Sequence, residues 1–197
     1  VTDWGPAFQR TPTQPGMTVT ADTLRAFRRS FDARMNAARG AEKLIVNLTY
    51  ACNNHCTFCA VGTRTQVDGM LVRQREHLAH YRQQGVKLVD FDGGEPTLHP
   101  ELLSIVKTAR ALGYEQVHVT TNGRLLAYDD FARKLVTSGL TSIAFSLHGP
   151  DARTHAQQVG VAEAFEQTTQ GIRNALAHAP PGLAVGVNVT LTKCNYE

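Results

Sequence analysis

Residues 43–59 read Lys-Leu-Ile-Val-Asn-Leu-Thr-Tyr-Ala-Cys-Asn-Asn-His-Cys-Thr-Phe-Cys, an aliphatic run that ends in three cysteines, Cys52, Cys56 and Cys59. Leu44, Val46 and Leu48 alternate with Asn47 and Thr49, the period of a strand with one apolar and one polar face. The loop that follows crowds three thiols together. Thiolates select zinc, copper(I) or iron–sulfur clusters, and three of them leave a fourth coordination position to fill. A distant side chain in that position makes a closed structural site; a substrate or cofactor there makes a reactive one.

Working outward, the same alternation recurs in four more runs. They span Lys87–Asp92, Gln116–Thr121, Ser142–Leu147 and Ala184–Thr192, and Lys43–Thr49 precedes them. Helical patterns fall between, over roughly Met70–Gln84, Pro100–Leu112, Tyr128–Ser138 and Ala162–Ala179. Gly85, Gly113 and Gly139 stand where left-handed helix caps belong. This βαβα order predicts a parallel sheet with right-handed crossovers. Each strand sets aliphatic residues on one face (Val89 and Phe91; Val117 and Val119; Ile143 and Phe145; Val185, Val187, Val189 and Leu191). The other face is polar, with Asp90, Asp92, His118, Thr120, Ser142, Ser146, Asn188 and Thr190. A sheet curled into a barrel, helices outside and a wet or ligand-filled lumen inside, satisfies that pattern. Ordinary (β/α)8 barrels fill the lumen with branched aliphatics instead.

A chain of 197 residues, 42% of them apolar, suits one core with a lead-in. Residues 1–42 read as an irregular, proline-bearing start followed by a helix over Thr20–Arg39, in which Leu24, Phe27, Phe31 and Met35 recur at helical spacing. Residues 43–197 form the core. Charged residues make up 19% and the formal charge is +3, which argues against a dedicated nucleic-acid surface. No transmembrane-length apolar run and no signal peptide are present, so cytoplasm is the default compartment. Only Cys194 lies outside the triplet, and a disulfide framework is not expected.

In such folds chemistry gathers at the C-terminal ends of strands. The polar motifs fall there: the cysteine loop, then Gly93-Gly94-Glu95-Pro96, then Thr121-Asn122-Gly123, then Ser146-Leu147-His148-Gly149. The spacing Cys-x3-Cys-x2-Cys, with the aromatic Phe58 before the last cysteine, resembles the cluster loop of the radical S-adenosylmethionine (SAM) superfamily. Gly-Gly-Glu-Pro after the second strand and a serine late in the fourth extend the resemblance, which runs from about Leu44 to Glu197.

The resemblance implies a partial (β/α)6 TIM-like barrel, of which about five βα units are present and the last strand is missing. It reads the chain as the N-terminal part of a longer enzyme. Cys52, Cys56 and Cys59 would bind three irons of a [4Fe–4S] cluster, and SAM would chelate the fourth. Reductive cleavage of SAM would yield a 5′-deoxyadenosyl radical that abstracts hydrogen from a substrate in the lumen. That substrate would be a small molecule or a peptide, such as a ribosomal peptide or a biosynthetic intermediate. A flavodoxin- or ferredoxin-like protein would supply the electron. Gly93 and Gly94 would let backbone approach the ligand, and Glu95 would accept a hydrogen bond from the SAM ammonium. Phe58, Asn122 and Ser146 complete the cofactor set, although Asn-Gly is also a turn signal in its own right.

Several positions stay open. Many members of the family carry an arginine after strand four for the SAM carboxylate; here that stretch offers only Arg153 and Gln158. His55 could close a Cys3His zinc site, which would make the domain a non-catalytic zinc or iron–sulfur protein. Cys194 reads as a small buried apolar residue, with a substrate or redox role as the alternative. His118 and His148 are either acid–base groups or hydrogen-bonded fillers of the polar face.

Overall fold

The computed structural model describes Arg25, residues 42–61 and residues 71–196. Two compact units divide the chain, Val1–Arg39 and Gly40–Glu197, and the strands among the described residues all lie in the second. The helix expected over Thr20–Arg39 lies outside the described residues, except that Arg25 is helical.

Five parallel strands lie in the order of the sequence: β1 (Lys43–Asn47), β2 (Leu88–Asp92), β3 (Gln116–Thr121), β4 (Ser142–Ser146) and β5 (Ala184–Asn188). Helices connect them: α1 (Leu71–Gln83), α2 (Leu102–Ala111), α3 (Asp129–Val136), then the pair α4 (Ala152–Val159) and α5 (Ala164–His178) before β5. The sheet is an open partial barrel, with β1 and β5 at its edges.

The period-2 alternation decides which face is buried. Val89, Phe91, Val117, Val119 and Phe145 are fully enclosed, and Ile143 nearly so. Opposite them α2 turns Leu102, Ile105, Val106 and Ala109 inward, an i, i+3, i+4, i+7 stripe. Burial of each large aliphatic or aromatic side chain here stabilises the fold by roughly 1.5–3 kcal/mol. Gly85, Gly113 and Gly139 all take positive φ, as helix-ending glycines do.

Three features depart from expectation. The strands β1 and β5 end earlier than the sequence suggests, at Asn47 and Asn188. The aliphatic residues toward and beyond the end of β5 are exposed (Val187 52%, Val189 49%, Leu191 74%), because β5 stands at the sheet edge and pairs with β4 alone. The helix α4 has no apolar stripe to announce it; its signals are its caps. The Asp151 side chain accepts from Thr154 N at 2.8 Å, and Gly160 closes the other end at φ 69°.

Candidate functional site

The cysteine loop and the glycine motif are built against each other. Leu48 N donates to Asp92 O at 3.0 Å, Gly94 N to Thr49 O at 2.7 Å and Glu95 N to Ala51 O at 2.8 Å. These bonds extend the β1–β2 pairing past the strand ends. A Cβ on Gly93 would lie 2.4 Å from Thr49 O, and one on Gly94 would lie 2.3 Å from Ala51 O. Gly93 also takes φ +151°. The room left by the two glycines is therefore filled by the protein's own backbone, at the base of the cysteine loop.

Glu95 is 1% exposed and serves as a junction. Its Oε1 accepts from Thr97 N at 3.0 Å, from Thr97 Oγ1 at 2.5 Å and from Thr121 Oγ1 at 2.6 Å. Its Oε2 accepts from Asn122 N at 2.7 Å. Burial pushes this carboxyl above its ordinary range, against the pull of those four donors. Oε1 is filled, while Oε2 keeps acceptor capacity beyond its one partner.

Asn122 ties the loops together in both directions. Its Oδ1 accepts from Arg124 N at 3.1 Å, and its Nδ2 donates to Asn53 Oδ1 at 2.6 Å inside the cysteine loop. On the far side of that loop, His55 N donates to Val159 O at 2.8 Å and Thr57 N to Gln158 O at 3.0 Å. The end of β3 thus grips one half of the loop and the end of α4 the other.

The polar face of the sheet carries a linked set of side chains. Lys43 Nζ lies 2.6 Å from Asp90 Oδ2, and His118 Nε2 lies 4.0 Å from Asp90 Oδ1. His118 Nδ1 is 2.7 Å from Ser142 Oγ, and Thr120 Oγ1 is 3.3 Å from His118 Nε2. Register aligns Asp90, His118 and Ser142 across three neighbouring strands. Above them, burial and then the nearby Asp90 raise the Asp92 carboxyl. His148 Nδ1 accepts from Thr190 N at 3.1 Å, which leaves the ring proton on Nε2, and burial lowers its pKa.

One cavity brings the sequence-predicted residues together. Cys52, Cys56, Phe58 and Cys59 line it from the first loop; Gly93, Gly94 and Glu95 from the second; Asn122 and Ser146 from β3 and β4. Asp92, Thr120, His148, Asn188 and Thr190 share its wall. Phe58 meets His148 edge-on, with ring centroids 4.8 Å apart. Neither Arg153 nor Gln158 lines the cavity: Arg153 is exposed on α4, and buried Gln158 donates to the Thr192 hydroxyl. Cys194 is exposed instead of buried; it sits in a short turn with its amide on Thr192 Oγ1. The residues that sequence reasoning missed are Thr97, which bonds Glu95 two positions before it, and Thr121 and Arg124, whose roles depend on partners distant in the chain.

Two of the thiols, Cys52 and Cys56, are raised by their surroundings. Partial desolvation, then the neighbouring Cys52 and Cys59, push the Cys56 thiol up to about 11. Desolvation also raises Cys52, opposed by the Asn54 amide that donates to its sulfur at 3.4 Å. Among the described residues, no three His, Cys, Asp or Glu side chains converge on one metal-ion position. Three soft thiols that line a shared cavity suit a cluster that takes one thiolate per iron.

Comparison with known proteins agrees with this geometry. Residues 46–192 match the family model of the radical SAM superfamily. A probable GTP 3′,8-cyclase of Saccharolobus solfataricus is 39% identical over 141 residues, covering 70% of this chain and 44% of that protein. One of Sulfurisphaera tokodaii is 33% identical over 161 residues, covering 81% of this chain and 50% of that protein. The chain thus spans about half the length of the curated relatives it matches. Among solved structures, Streptococcus suis SuiB bound to S-adenosylmethionine superposes with a TM-score of 0.63 at 19% identity, over 93% of this chain and 40% of that one. SuiB bound to the precursor peptide SuiA gives 0.68 at 18%, over 93% and 42%. A cysteine triplet on the first strand end, a glycine–glutamate turn on the second and a matching family model across three-quarters of its length place this chain in the radical SAM superfamily of enzymes.

Proposed function

We propose that the chain is the SAM-cleaving core of an enzyme that opens reactions on a purine nucleotide of the GTP class. Cys52, Cys56 and Cys59 would hold a [4Fe–4S] cluster, and SAM would lie in the cavity they share with Glu95 and Ser146. When bound, the pair supplies one-electron cleavage of a carbon–sulfur bond and so a 5′-deoxyadenosyl radical. The observation that carries the reading is that residues from five strand ends line a single cavity.

The chain's own part is positioning and shelter. Glu95 Oε2 would accept from the SAM ammonium, and the bonds that Thr121 and Asn122 donate to Glu95 tie the ends of β2 and β3 together. Ser146, Asn188 and Thr190 give the opposite wall hydroxyl and amide groups. His148 presents an Nε2 donor and, being neutral, adds no charge to the cavity. An electron from a flavodoxin- or ferredoxin-like protein would start the reaction.

The substrate class rests on the 39%-identical relative, a probable GTP 3′,8-cyclase. The likeness to SuiB, at 18% identity, supports the fold and no peptide substrate. The test is anaerobic reconstitution of the full-length protein, reduction, and measurement of 5′-deoxyadenosine with and without GTP. Formation of 5′-deoxyadenosine with loss of GTP is expected. An intact cluster without SAM cleavage contradicts the enzymatic reading; cleavage that leaves GTP untouched contradicts the nucleotide alone.

A further inference from the structure

Arg124 lies outside the cavity wall, yet it reaches into the cysteine loop. It follows Gly123, which takes φ 76°, and opens the short 3-10 turn Arg124–Ala127 after β3. Its guanidinium donates from Nε to Gln167 Oε1 on α5 at 2.6 Å. From Nη1 it donates to Asn53 O and, at 3.1 Å, to Asn54 Oδ1. Asn54 is 8% exposed, and its own amide donates to Cys52 Sγ at 3.4 Å. The chain of contacts therefore runs from α5 through Arg124 and Asn54 to a thiol.

We propose that Arg124 is a positioning residue for the cluster loop: it fixes Asn54 so that its backbone amide points at Cys52 Sγ, and it sets a permanent positive charge against the two residues that follow Cys52. The proposal rests on the reading of Cys52, Cys56 and Cys59 as cluster ligands. Two physical effects follow. Hydrogen bonds to a ligating sulfur and a nearby cation both favour the reduced, more negative cluster and so raise its reduction potential. The guanidinium fork also joins the Cys52–Cys56 insert to Gln167, and a lysine cannot reproduce that planar, multidentate hold. The position thus has separable consequences, one of charge and one of shape.

The experiment is an EPR-monitored redox titration of the reconstituted protein, paired with the rate of iron loss to a chelator. It compares the native protein, Arg124→Gln and Arg124→Lys. Arg124→Gln is expected to shift the midpoint to more negative potential and to lose iron several-fold faster. Arg124→Lys, which keeps the charge and loses the fork, is expected to shift the midpoint less than Arg124→Gln while also losing iron faster. Native midpoint and native iron retention in Arg124→Gln would overturn the proposal, as would equal negative shifts in both variants. If Arg124→Gln fails to fold, as judged by circular dichroism, iron retention in Arg124→Lys decides: a native rate overturns the proposal. Native protein that assembles no cluster would instead remove the reading on which the proposal rests.

Discussion

The Glu95 carboxylate accepts from the Asn122 amide at 2.7 Å, across the gap between the ends of β2 and β3. With Thr97 and Thr121 also donating to it, one buried acid organises two of the loops that frame the cavity. Glu95→Ala leaves four donors without their acceptor, and each unsatisfied buried group costs about 1–3 kcal/mol. Glu95→Gln keeps the volume but turns an amide donor toward groups that are themselves donors. Urea denaturation should show a loss of about 3 kcal/mol or more for the alanine variant and a smaller loss for glutamine. Native stability in both variants would contradict the junction role.

Gly94→Ala puts a Cβ 2.3 Å from Ala51 O, a backbone atom with little freedom to retreat. The loop base must move, at a cost of about 1–3 kcal/mol for overpacking, and the cysteines move with it. Gly186→Ala is the control, since nothing lies within 4 Å of the added atom. The expected result is a lower melting temperature and reduced iron uptake for Gly94→Ala, with both unchanged for Gly186→Ala.

His155 gives the fold a pH dependence. The ring is fully buried, its Nδ1 accepts from His148 N at 3.0 Å, and burial, then the neighbouring His148, hold its pKa down at about 4. The unfolded chain takes up a proton near the ordinary value of 6.5, which the folded chain refuses until about 4. Stability therefore falls as pH drops from 6.5 to 4, by at most about 3 kcal/mol from this residue, and is flat above 7. His148, whose pKa burial also lowers, adds in the same direction. Chemical denaturation at pH 7 and pH 5 checks this, and His155→Phe should weaken the dependence. A stability that rises toward pH 5 would contradict it.

The cysteine assignments predict a contrast. Alanine at Cys52, Cys56 or Cys59 should abolish iron retention after anaerobic reconstitution. Cys194→Ala should leave it intact, since Cys194 is exposed in a turn and does not line the cavity. Iron lost in Cys194→Ala would overturn that separation.

What the sequence disclosed was what periodicity and short motifs encode. Alternation in Val117-His118-Val119-Thr120 assigns the two faces of β3, and the three cysteines locate the site. What it withheld depends on contacts between distant segments. Nothing local marks Arg124 as a partner of Asn54, seventy residues away in sequence. The glycine pair was legible as a close approach, but not that its missing Cβ atoms make room for carbonyls of the preceding loop as well as lining the cavity. The helix α4 escaped notice because eight largely polar residues carry caps but no apolar stripe.

Cys52, Cys56 and Cys59 are proposed to hold a cluster whose fourth iron is open to SAM. EPR of the reduced, reconstituted protein with and without SAM tests it most directly. The account predicts a [4Fe–4S] signal that SAM perturbs in the native protein and that disappears with Cys56→Ala. A cluster spectrum indifferent to saturating SAM, or one that survives Cys56→Ala unchanged, would contradict it.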